Sequence, residues 1–146
     1  MSFSEESTEV KKINYRKSKK NVSKVITNYE RKLMRVKAGR QPKITQSFKL
    51  ELISTSNTNH SSTEDAAIYN LEGFREDLNF IDHVNDCLNR LNLEDRQIIW
   101  YSMFQNLPNI QVAEMVNTSY SNLLIKKRNA IELFAIALQC EVYLSN

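Results

Sequence analysis

Two glycines and two prolines in 146 residues leave this chain few ways to turn except between helices. Glycine-rich phosphate loops, hairpin-rich β folds and the tight first turn of a Rossmann domain all need more glycine than this. The expected fold is all-α. The length suits one domain, or a compact domain with an arm. A hydrophobic content of 41% can fill a single core. No run approaches the ~18–20 uncharged apolar residues of a membrane-spanning helix, and MSFSEESTEV lacks the charged-then-apolar order of a secretory signal. Cys87 and Cys140 make neither a disulfide framework nor a zinc cluster, so free thiols in a reducing cytoplasm are expected.

The net charge of +3 conceals a division. Residues 1–50 carry fourteen Lys/Arg against four Asp/Glu, whereas residues 51–146 carry six against thirteen. The basic run begins with Lys11, Lys12, Arg16, Lys17, Lys19 and Lys20. An apolar stripe then appears at Val22, Val25/Ile26, Tyr29, Leu33 and Val36, whose steps of three and four define one helix face. Gly39 and Pro42 end that helix. Phe48, Leu50 and Leu52 alternate within residues 44–53, the pattern of a short extended segment. Residues 54–63 (STSNTNHSST) have nothing to bury and read as a polar linker. The expected organisation is therefore a basic arm and helix over 1–53, the linker over 54–63 and a helical domain over 64–146, with a cap at Ser61 or Ser62.

Phe74, Leu78, Ile81, Val84, Leu88 and Leu91 predict an amphipathic helix over 74–91. A second helix opens at Leu93-Glu94-Asp95-Arg96 and runs past Trp100 to about Asn106, with Trp100 and Phe104 as core residues. His60 and His83 have no partner at ligand spacing, so neither is expected to hold a metal, and no cofactor is expected. Paired catalytic side chains are absent too, so no enzymatic activity is expected.

The mechanism resides further on. Pro108 starts a short helix, Asn109–Val116. Asn117-Thr118 make a turn, Ser119 caps, and a long helix is expected from Tyr120 to about Tyr143. Short helix, tight turn and longer helix are the helix-turn-helix of DNA-binding proteins. Ala113 is small where the helices must cross. Asn117 tolerates a left-handed backbone, and Ser119 can accept a backbone N–H. The wheel of the second helix sends Leu123, Ala130, Ile131, Phe134 and Leu138 inward. Its outer side presents Ser121, Asn122, Ile125, Arg128 and Asn129, with Lys126 and Lys127 flanking the core face and Tyr120 at the start. Ser and Asn can bond base edges, Ile125 can meet a thymine methyl, and Lys and Arg neutralise phosphate. The candidate DNA-binding set is Ser119, Tyr120, Ser121, Asn122, Ile125, Lys126, Lys127, Arg128 and Asn129. Lys11, Lys12, Arg16, Lys17, Lys19 and Lys20 form a phosphate-contacting arm. Residues 130–144 are apolar on nearly every side, and either pack under the N-terminal helix or form a homodimer surface.

The run Leu88–Leu138 resembles region four of bacterial sigma factors. The matching residues are Leu88-x-x-Leu91, Leu93-Glu94-x-Arg96-x-Ile98-Ile99, Val112-Ala113-x-x-Val116, Ser119-x-Ser121 and Ala130. Tyr29 in a basic helix, Pro42-x-Ile44-Thr45-x-Ser47-Phe48, the polar linker and Lys126-Lys127-x-x-Ala130-x-x-x-Phe134-Ala135-x-x-Leu138 together resemble the ArpU family. These are late transcriptional regulators of phages and prophages, in the same broad group as RinA-type activators. The resemblance implies sequence-specific binding to double-stranded DNA in the cytoplasm of a bacterial host. It also implies activation of late genes together with host RNA polymerase. Lys127 departs from the apolar residue common at its position in sigma factors. Leu124 and Ile125 stand where polar base readers are usual. Two other functions fit the same features: a small terminase-like packaging subunit and a polymerase- or sigma-binding interaction protein.

Overall fold

The computed structural model describes residues 11–36, 41–44, 50–53 and 71–145. The polar linker 54–63, the cap at Ser61 or Ser62, His60 and the Gly39 stop lie outside these residues. The fold is helical: α1 (Tyr15–Val36), α2 (Leu71–Asn89), α3 (Leu93–Ile99), α4 (Asn109–Met115) and α5 (Tyr120–Ala137). A two-stranded antiparallel hairpin, β1 (Gln41–Ile44) with β2 (Leu50–Ile53), follows α1 and pairs Gln41 with Ile53 and Ile44 with Leu50. β2 coincides with part of the extended segment expected over 44–53.

One core serves all five helices. Val22, Ile26 and Tyr29 of α1 are buried with Ile81, Val84 and Leu88 of α2, Ile98 and Ile99 of α3, Val112 of α4, and Leu123, Ile131 and Phe134 of α5. The N-terminal helix therefore packs into the C-terminal helices. Two devices fasten it laterally. The Tyr29 hydroxyl donates to Asn85 Oδ1 at 2.7 Å, and burial drives the phenol pKa well above its ordinary value. Asp77 accepts from Lys32 at 3.0 Å and from Arg35 Nε at 3.1 Å, while its own side chain is almost fully buried.

The helix expected to run from 93 to about 106 is not regular. After Ile99 it widens into a π turn, Trp100–Phe104, in which the Gln105 N–H reaches back five residues to Trp100 O at 3.0 Å. π turns are rare and local. This one seats Phe104 between three elements: edge-on to Tyr29 at 5.5 Å, stacked on Trp100 at 5.2 Å and tilted against Phe134 at 6.3 Å. Trp100 and Phe104 pack against the core and are only partly buried.

The expected helix to Tyr143 is corrected: α5 stops at Ala137, with Leu138 as its C-cap. Gln139 takes φ 60°, and the Cys140 N–H donates back to Ala135 O at 2.9 Å, which closes the helix end as a glycine usually does. The chain then runs extended beside the start of α1. Asn14 N donates to Val142 O at 2.7 Å, Leu144 N to Lys12 O at 2.8 Å, and Val142 N to the buried Ser18 Oγ at 2.8 Å. Of the two fates open to residues 130–144, packing under α1 holds for Ala130, Ile131, Phe134 and Ala135, while Leu133, Ile136, Tyr143 and Leu144 stay exposed. A helix apolar on all sides and wholly buried does not form.

Tyr29→Phe keeps the edge contact with Phe104 but leaves Asn85 Oδ1 buried without its donor. Chemical denaturation should register a loss of about 1–3 kcal/mol, the penalty of an unsatisfied buried polar group.

Candidate nucleic-acid interface

The helix-turn-helix forms with each local device expected for it. Pro108 is the N-cap of α4, one position before the first helical residue, in an extended conformation that starts the helix without needing an N–H. Val116 ends α4, Asn117 adopts φ 57°, and Thr118 N donates to Ala113 O at 2.9 Å. Ala113 is buried at this junction, where a larger side chain would hold the helices apart. Ser119 caps α5 by accepting the Asn122 N–H at 3.2 Å. Arg96 braces the preceding corner from below. It is buried, and its guanidinium donates to Leu91 O at 2.8 Å at the α2–α3 turn. Asn92 caps α3 through the Asp95 N–H at 2.9 Å.

The second helix shows a polar face to solvent over its first half. Ser119, Tyr120, Ser121, Asn122, Ile125 and Asn129 are exposed, and Ile125 retains 63% of its full accessibility. Ser121, Asn122, Ile125 and Asn129 follow one another at steps of one, three and four, which puts them on the outward side of α5.

The three consecutive cations behave differently from one another, and none stands as a free patch. Lys126 pairs with Glu94 of α3 at 3.1 Å. Lys127 is half-buried and donates to Asn109 Oδ1 at 2.9 Å; burial, and then the neighbouring Lys19, lower its pKa. Arg128 Nε pairs with Glu132 at 3.4 Å, and its guanidinium lies 4.8 Å from the centre of the Tyr15 ring. Only one of these partners was legible in the sequence. Arg128–Glu132 has the ordinary spacing of a helical pair and was open to view. Glu94, Asn109 and Tyr15 reach α5 only through the tertiary fold.

The basic arm also changes character. Arg16, Lys17, Lys19 and Lys20 belong to the first turns of α1, while Lys11 and Lys12 precede it in the segment held by the C-terminal tail. Because Tyr15 touches Arg128, the start of α1 lies beside the middle of α5. Arg16, Lys17 and Lys20 are exposed there, and among the described residues no ion pair engages them.

Among the described residues no group of three His, Cys, Asp or Glu side chains is arranged to hold a metal. His83 Nε2 lies 3.7 Å from Cys87 Sγ, which donates to Ala137 O at 3.2 Å. Burial raises the pKa of both cysteines. Among the same residues no helix is long and apolar enough to cross a membrane.

Over 136 residues, 92% of this chain and 95% of the relative, the sequence is 30% identical to an uncharacterised phage-related protein of Listeria innocua, Lin1259/Lin1739. The chain belongs to this phage-related family. No protein-family model matches it, and no solved structure matches it significantly. The relative spans nearly the whole chain, so the family takes in the basic helix as well as the helix-turn-helix.

Asn117→Val forces a β-branched residue into the left-handed turn and should lower stability by about 1–2 kcal/mol. Asn117→Gly should be tolerated, and thermal melts of the two variants distinguish this backbone effect from a lost side-chain contact.

Proposed function

We infer that this phage-related protein is a sequence-specific, double-stranded-DNA-binding transcriptional regulator, an activator of phage or prophage late genes of the ArpU/RinA type. The observation that carries this reading is the outward face of α5. In the first half of a capped helix-turn-helix, Ser121, Asn122, Ile125 and Asn129 are exposed together, with the basic start of α1 alongside. A helix reading the major groove uses such short polar and branched side chains on base edges, while cations at its flanks meet the backbone.

On this reading the labour is divided. Sequence choice belongs to Ser121, Asn122, Ile125 and Asn129. Phosphate attraction belongs chiefly to Lys11, Lys12, Arg16, Lys17, Lys19 and Lys20, because Lys126 and Arg128 already spend part of their charge on Glu94 and Glu132. The acidic balance of residues 51–146 makes those N-terminal cations the main electrostatic contribution to association. Host RNA polymerase is the natural partner for a regulator of this kind, acting from a bound site in the bacterial cytoplasm.

The test is fluorescence anisotropy on duplexes tiled across the DNA upstream of late genes. Asn122→Ala should weaken the preferred duplex by about 1–3 kcal/mol and relax preference at one base pair. Replacing Lys11, Lys12 and Lys17 together by Ala should weaken binding to all duplexes. It should also flatten the log K against log salt slope by up to about 0.9 per lost phosphate contact. Binding that ignores both sequence and salt would exclude the reading.

A further inference from the structure

Among the described residues, cations that bridge two helices generally meet a carboxylate or helix-end carbonyls. Lys32 and Arg35 share Asp77, Lys126 meets Glu94, and Arg96 meets Leu91 O. One cluster breaks the pattern. The Tyr15 ring, in the first turn of α1, carries Lys19 Nζ at 5.9 Å and the Arg128 guanidinium at 4.8 Å. Lys127 adjoins Arg128 along α5 and has only the neutral Asn109 amide as its partner, at 2.9 Å. Cations from two helices thus meet at one ring, Lys127 lies near enough to Lys19 for the two charges to act on each other, and the one carboxylate paired within the cluster is Glu132, which takes only the Nε of Arg128.

Like charges held together without a counter-ion repel. Here the Tyr15 ring restrains the Arg128 guanidinium and the Asn109 amide restrains the Lys127 ammonium, so part of the side-chain freedom is already lost before an anion arrives. The terminal amino groups of Arg128 and the ammonium of Lys19 can supply charge-assisted donors to a tetrahedral oxyanion. Lys127 sits where partial burial strengthens any charge interaction it makes.

We propose that Tyr15, Lys19, Lys127 and Arg128 form a preformed seat for one phosphate group, at the junction of α1 and α5. Where the ligand is DNA, which rests on the function inferred above, that group is a single backbone phosphate bordering the base-reading face. Tyr15 is then a positioning residue, holding Lys19 and Arg128 on the same anion. Lys19 and Lys127 act as one contact contributed by both helices.

Two measurements on the full chain test this. In the first, inorganic phosphate is titrated at constant ionic strength and side-chain NMR signals are followed. The Tyr15, Lys127 and Arg128 signals should saturate together with one dissociation constant. Saturation should disappear in Lys19→Ala and in Lys127→Ala, and persist in Arg31→Ala, which removes an exposed cation elsewhere on α1. In the second, the salt slope of duplex binding is compared for the wild type and the Lys19→Ala/Lys127→Ala double variant. Sharing one phosphate predicts a combined loss of about 0.9 in slope, whereas two independent contacts predict about 1.8. Non-saturating shifts spread over all the cations of α1, or a slope loss near the larger value, would overturn the seat while leaving DNA binding intact. Saturable phosphate binding in a protein that binds no duplex would uphold the seat and remove the DNA reading.

Discussion

The second half of α5 carries Ile131, Phe134 and Ala135, all buried, and the rest of the structure depends on how that apolar face is hidden. α1 supplies the cover. Its stripe of Val22, Ile26 and Tyr29 closes over Ile131, Phe134 and Ala135 within one buried cluster. Burial at roughly 25 cal/mol per Å² makes such a face the main source of stability in a small helical domain. Phe104 completes it from the π turn, touching Tyr29, Trp100 and Phe134 at once. An arm that merely accompanied the domain would leave Phe134 and Ile131 open to water.

That packing has an electrostatic consequence. Bringing α1 onto α5 carries the basic end of the chain to the middle of the helix whose first half faces outward. The C-terminal tail holds it there through Val142 and Leu144, which pair with Asn14 and Lys12. The strongly basic N-terminal third and the helix-turn-helix, far apart in sequence, become parts of one surface. The cost is repulsion between Lys19 and Lys127, while Arg128 has Glu132 as its counter-ion. The Lys-Lys-Arg run, which in the sequence looks like a uniform cationic patch, becomes three residues with three different partners.

Local chemistry was readable wherever the cause is local. Asn117 in the left-handed region, Ser119 as a cap, Ala113 at the tight junction and the stripe from Val22 to Val36 all follow from neighbours within a few positions. The end of α5 was not readable. The helix stops at Ala137, and Gln139, a residue with no special liking for φ near 60°, takes the left-handed turn that sends the tail back to bond with α1. The π turn escaped for a similar reason: nothing in Trp100–Phe104 announces it, and its value lies in aiming Phe104 at Tyr29, 75 positions earlier.

The amino-acid sequence by itself determined that the chain is helical, that it contains a helix-turn-helix, and which side chains of the second helix point outward. Those properties depend on periodicity, turn chemistry and the near absence of glycine and proline, all of which act over a few residues. Only the tertiary structure decided that the basic helix shares the core, that Lys126, Lys127 and Arg128 find Glu94, Asn109 and Tyr15, and that two helices converge their cations on one aromatic ring. Such pairings join residues as far apart as Tyr15 and Arg128, 113 positions from one another. Their register is set by how apolar faces interlock, which no local pattern encodes.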